Sequence, residues 1–132
     1  MLDADRYARI VRASALYDLV VTLAFATPWT FSLLHRAVSA LDGATGAPGT
    51  IPTATALTVL MANLMGSLVI VWSVVRLTLR LTVLGRYDAA ARFLFAAWQI
   101  NALAAGLSWV IAPLVVIELV FGVLQAWPVR QR

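Results

Sequence analysis

Long apolar runs, interrupted at wide intervals by single polar residues, organise this chain. The first extends from Ala13 to Leu34 with Asp18 as its only formal charge, and the second from Ala54 to Val75 with none. Each covers 22 residues, and roughly 20 helical residues cross the hydrocarbon core of a bilayer. Between Arg92 and Arg130 the single charge is Glu118. That stretch is too long for one crossing and suits two joined by a tight turn, with Gly106, Ser108, Trp109 and Pro113 as turn and interface candidates. The pattern predicts a single transmembrane domain over 1–132, with helices at about 13–34, 54–75, 88–107 and 112–128. Pro113 then falls in the first turn of the last helix, where its missing N–H costs nothing. The segment 42–53, "DGATGAPGTIPT", has Gly and Pro to break any helix and is expected to be a flexible connector. "AFA" at 24–26 imitates a leader cleavage site, but Asp18 interrupts the apolar region before it and hydrophobicity continues to Leu34. The expectation is that this segment is retained as a helix.

Composition supports the bilayer as solvent. Hydrophobic residues make up 62% and charged residues 12%, and mean hydropathy is +0.89, whereas soluble domains carry roughly a quarter charged residues. All ten basic residues are Arg, and the formal net charge is +4. These arginines lie between apolar runs and form no single patch, so nucleic acid is not an expected partner. Nine of the ten fall on one side of the predicted spans, with Arg36 on the other. Because positive residues stay cytoplasmic, both termini are expected inside. The fold class is therefore all-α, an integral membrane four-helix bundle.

Helical spacing gives every predicted span one polar or small-residue face. Ser14, Asp18 and Thr22 share a face, as do Asn63, Gly66 and Ser67; Arg92, Gln99 and Gly106; and Glu118, Gly122 and Gln125. Counting ~1.5 Å per residue from the predicted cytoplasmic ends puts Glu118 about 15 Å deep, Gln99 about 16 Å, and Asn63 and Asn101 slightly deeper. On the same count Asp18 lies at about 9 Å and Arg92 at about 6 Å. Two layers follow. Asp18 with Arg92 or Arg76 is expected to form a structural ion pair that fixes helix register. Glu118 has no basic residue at its estimated depth, so desolvation favours its neutral form, expected to donate a hydrogen bond to Gln99 or Asn63. Glu118, Gln99, Asn63, Asn101 and the deep Trp98 are the candidates for ligand binding or proton carriage. Ionisable groups inside a membrane mark functional sites by default, while a structural tie between helices is the alternative for Glu118.

Catalytic and metal chemistry find few components. There is no Cys, and His35 is the one His, so neither a metal site nor a cofactor is expected. Ser67 and Ser73 have no His at their depth to act as base. An isomerase-like enzyme acting on a lipophilic substrate by proton transfer stays open. A second reading is proton-coupled transport of small lipophilic or cationic compounds. In outline the chain resembles small multidrug-resistance transporters, which have four helices and one buried Glu. Theirs lies on the first helix, and Glu118 lies on the last.

The segments "NLMGSLVIVW" (63–72) and "VVIELVFGVL" (115–124), with a long first connection and an acidic fourth helix, resemble DoxX-like small membrane proteins of bacteria. That resemblance implies a multi-pass protein of the bacterial inner membrane acting as an accessory or interaction subunit of a membrane complex. It transfers no catalytic residue. The small-xxx-small patterns "ANLMG" (62–66) and "ALAAG" (102–106) allow close helix approach, within the bundle, in a homo-oligomer or against another membrane protein.

Overall fold

The computed structural model describes residues 1–129. Among these the chain is all-helical: α1 (Ala4–Leu23), α2 (Pro28–Thr45), α3 (Ala56–Leu79), α4 (Thr82–Ala104) and α5 (Ala112–Ala126), the last preceded by a 3-10 turn at Trp109–Ile111. The side chain of Asp3 caps α1 by accepting from the Arg6 N–H at 2.7 Å. Helix α1 therefore starts nine residues before the apolar run, carrying its arginines on regular helix. Thr55 and Thr58 form a reciprocal cap at the start of α3, which satisfies N–H groups that a helix start leaves unpaired.

The predicted span 13–34 is broken. Pro28 lacks an N–H and disfavours helical backbone at Thr27, which is extended and caps α2 through its hydroxyl. Helices α1 and α2 consequently meet at 94°. Two α3 residues hold this corner. Asn63 Nδ2 donates to the Phe25 carbonyl at 2.7 Å, and Gly66 lies so close that a Cβ there would stand 2.7 Å from the Phe25 carbonyl carbon. "ANLMG" thus serves an approach inside the molecule. In "ALAAG", Gly106 instead takes φ 101°, a left-handed conformation that glycine adopts without steric cost, and turns the chain after α4.

Helix α4 packs chiefly on α5 and α1 chiefly on α3, with α1 also reaching α5 and α4; α2 bridges α3 and the 3-10 turn. The two ends of the described chain meet, since the Leu2 N–H donates to the Pro128 carbonyl at 2.9 Å and Tyr7 Oη donates to the Gln125 carbonyl at 2.9 Å. At the opposite end the connection after α2 is pinned rather than loose. The Thr50 N–H donates to the Gly106 carbonyl, the Ser108 N–H to the Thr50 carbonyl and the Trp109 N–H to the Pro48 carbonyl. Ser108 also donates to Asp42, and His35 Nε2 sits 2.9 Å from the Pro52 carbonyl. The sequence presented this segment as a free connector because backbone pairing leaves no hydrophobic signature.

Two helical segments are long and apolar enough to cross a membrane, α3 and Trp109–Ala126, and the α1–α2 pair meets the same test when taken together. Large apolar side chains cover the outside, among them Val20, Leu68 and Trp98, each about two-thirds exposed or more. The buried apolar core is small by contrast: Tyr7, Val11, Ala15, Phe31, Ala89, Ala96 and Val115. An apolar exterior over a polar interior suits lipid, where backbone polar groups must be satisfied within the helices.

Gly66→Ala is expected to cost about 1–3 kcal/mol by forcing α3 away from the α1–α2 corner. Gly43→Ala, with no atom within 4 Å of the added Cβ, should leave thermal unfolding in detergent almost unchanged.

Candidate functional site

Five charged side chains from four helices converge where α1, α3, α4 and α5 come together. Arg76 and Arg92 are each 2% exposed and Asp88 is 3% exposed. From α3, Arg76 directs Nη1 to Asp88 Oδ2 and Nη2 to Asp18 Oδ2, both at 2.5 Å. From α4, Arg92 directs Nη2 to Asp18 at 2.7 Å, Nε to Asp88 Oδ2 at 3.1 Å and Nη1 to Glu118 Oε2 at 2.8 Å. Ser14 lies at the centre. Its hydroxyl donates to Asp88 Oδ2 at 3.0 Å and accepts from Arg76 Nη1 and Arg92 Nη2. Trp72 Nε1 donates to Asp88 Oδ1 at 2.8 Å, and Ser73 Oγ accepts from Arg76 Nη2. The planar fork of Arg lets each guanidinium serve several acceptors at once.

Small residues make this convergence possible. Gly85 on α4 faces Tyr7 and Val11 of α1, where a Cβ would meet the Tyr7 hydroxyl oxygen at 2.5 Å. Gly122 on α5 lies over Arg92 and Phe93, with Cβ distances of 3.2 to 3.5 Å. Aromatic faces cover both cations: the Arg92 guanidinium carbon stands 4.9 Å from the Phe121 ring centre, and that of Arg76 stands 5.7 Å from Trp72.

The charges do not balance. Asp18 and Asp88 each contact both guanidiniums, while Glu118 receives one hydrogen bond, from Arg92. Three carboxylates facing two guanidiniums leave one negative charge in excess. A cleft of about 600 Å³ opens beside the network, between α3 and α4. Its walls are apolar and aromatic, including Leu68, Trp72, Tyr87 and Phe95, and Asp18, Asp88 and Arg92 lie beneath them at its floor. Ligand pockets commonly measure ~300–1,000 Å³ and combine apolar walls with a few polar groups.

The residues expected from sequence are distributed as follows. Asp18, Arg76 and Arg92 lie within one network, which also takes in Glu118. The expected hydrogen bond from Glu118 to Gln99 or Asn63 is replaced by one that Glu118 Oε2 accepts from Arg92 Nη1. The cause is the start of α4 at Thr82 rather than Asp88, which carries Arg92 to about 15 Å from the helix start, the level estimated for Glu118. Asn63 instead holds the Phe25 carbonyl. Gln99 is half-buried with Oε1 unpaired, Asn101 is exposed, and Trp98 is 67% exposed outside the cleft. None of these four joins the network. Sequence reasoning missed Asp88, Ser14 and Trp72 as members. The signal for Asp88 was its position four residues before Arg92, an ion-pairing distance on a helix. Among the described residues no group of His, Cys, Asp and Glu could hold a metal ion.

No protein-family model, curated protein or solved structure matches the chain. The resemblance to DoxX-like proteins therefore carries no role into this site.

Arg92→Ala is expected to destabilise the protein by about 3–5 kcal/mol, because it leaves buried carboxylates uncompensated. Breaking the exposed Arg6–Asp3 pair with Asp3→Asn should cost less than about 1 kcal/mol. Chemical unfolding of the two variants in the same detergent measures the difference.

Proposed function

We propose that the protein is a multi-pass membrane protein that binds small lipophilic cations in the α3–α4 cleft in exchange for a proton, the chemistry of a proton-coupled transporter. The observation that carries this reading is the excess carboxylate in the network at the cleft floor. An isolated charge in a low-dielectric interior costs several kcal/mol, so the empty network takes up one proton. Glu118, with one hydrogen bond, is the group that holds it.

A cation entering between Trp72, Tyr87 and Phe95 is attracted by these aromatic faces and by Asp18 and Asp88. Competition for the two aspartates frees Arg92 to pair more fully with Glu118, which then releases its proton. The count is conserved: two guanidiniums and one proton balance three carboxylates before binding, and two guanidiniums and one cation balance them after. The accessory-subunit reading rests on the resemblance to DoxX-like proteins and on small-residue helix faces, and of these Gly66 is used inside the molecule against Phe25. No further feature favours it.

The reading takes α4 as a fourth crossing, which closes the bundle. Its Asp88 and Arg92 are buried while Leu94, Trp98 and Ile100 are at least half exposed. Arg6, Arg9, Arg12, Arg80 and Arg86 are exposed and belong to the end where the chain ends meet, which supports a cytoplasmic position for that end. Arg130 and Arg132 lie outside the described residues. Because the chain has no Cys, single substitutions report orientation cleanly. An impermeant maleimide should label Thr50→Cys in intact cells and Asp5→Cys only in inverted vesicles; the reverse pattern contradicts this orientation.

Purified protein in weakly buffered detergent should release close to one proton per tetraphenylphosphonium bound. In Glu118→Gln the network is already neutral, so release should vanish and affinity fall by tenfold or more. Unchanged affinity and unchanged release in that variant would refute the exchange, as would a wild-type protein that binds no lipophilic cation.

A further inference from the structure

Arg76 faces a second cavity, separate from the cleft. It measures about 170 Å³ and is enclosed by α1, α3 and the α3–α4 turn, with Arg9, Arg12, Arg76, Arg80, Tyr7 and Thr82 among its lining residues and no carboxylate. Arg9 and Arg12 follow one another at helical spacing on α1. Arg80 sits at the corner between α3 and α4 with φ 50°, the single non-glycine residue with positive φ in the described chain. Among the described residues none of these three forms an ion pair.

The lining of this cavity favours an anion. Arg9, Arg12 and Arg80 bring three positive charges to its walls with no carboxylate among the lining residues, and a negative charge placed there is attracted by all three. At the back, Arg76 is buried with Nη1 and Nη2 committed to Asp18, Asp88, Ser14 and Ser73. An oxygen entering the cavity therefore meets the outer arginines, which neutralise its charge. Planar guanidiniums match phosphate oxygens in geometry as well as charge. Leu77 and Leu81 complete the lining and offer apolar surface beside the anion.

We infer that this cavity is a binding site for a negatively charged phosphate group, either the headgroup of an anionic phospholipid or a soluble phosphate ester. The site lies at the same end as the chain termini and shares no lining residue with the cleft, so it stands or falls independently of cation exchange.

Native mass spectrometry of detergent-solubilised protein tests it with phosphatidylglycerol, phosphatidylcholine, glycerol 3-phosphate and inorganic phosphate offered separately. Wild-type protein should retain phosphatidylglycerol or glycerol 3-phosphate at least tenfold more strongly than phosphatidylcholine. The combined variant Arg9→Ala, Arg12→Ala, Arg80→Ala, whose side chains are all exposed, should lose that preference. Arg86→Ala, an arginine of the same end outside the cavity, should keep it. Retention of the lipid alone identifies a headgroup site, and retention of glycerol 3-phosphate or inorganic phosphate with the same arginine dependence identifies a soluble ligand. Equal retention by the triple variant, equal loss in Arg86→Ala, or no preference over phosphatidylcholine in any arm would overturn the assignment.

Discussion

Two guanidiniums shared among three carboxylates hold this molecule's helices in register. Each of α1, α3, α4 and α5 contributes at least one charged member, so no pair of these helices can slide without breaking a buried ion pair. Little else specifies the arrangement. The apolar core is thin, and in lipid a Leu or Val on the outside is as well solvated as one within. Directional charge-assisted hydrogen bonds then decide which helix faces meet, and small residues such as Gly85 and Gly122 determine how close they come.

The same network joins structure to chemistry. A balanced set of ion pairs would serve as a rigid, inert tie. The third carboxylate changes that, because the set is neutral only with a proton or an external cation. Arg92 connects the two possibilities physically: it touches Asp18 and Asp88 at the cleft floor and Glu118 on the side of α5. Arg76 occupies the corresponding position toward the arginine-lined end, between the network and the smaller cavity.

Much of this was legible in the sequence, and what was missed has physical causes. Apolar run length located α3, the Trp109–Ala126 segment and the α1–α2 pair as membrane-compatible, while the expected span at 88–107 does not reach that standard by itself; helical spacing put Asp18 and Glu118 on interior faces. Three errors share a source: hydropathy marks where lipid contact begins, whereas caps and backbone geometry mark where helices begin. Helix α4 starts at Thr82 among polar residues, so Asp88 looked terminal and Arg92 too shallow to reach Glu118. Pro28 divides an unbroken apolar run, and the corner it makes was invisible to composition. The pinned 46–55 connection depends on backbone pairing with Gly106 and Ser108, which residue type does not encode.

In the proposed exchange the ionic network carries one exchangeable proton, held by Glu118. Infrared difference spectroscopy of the reconstituted protein, recorded as a lipophilic cation is added, reads that proton directly. Exchange at Glu118 requires loss of one protonated-carboxyl band in the wild type and no such band in Glu118→Gln. A wild-type spectrum without a protonated carboxyl, or a band that persists unchanged when the cation binds or in Glu118→Gln, would contradict it.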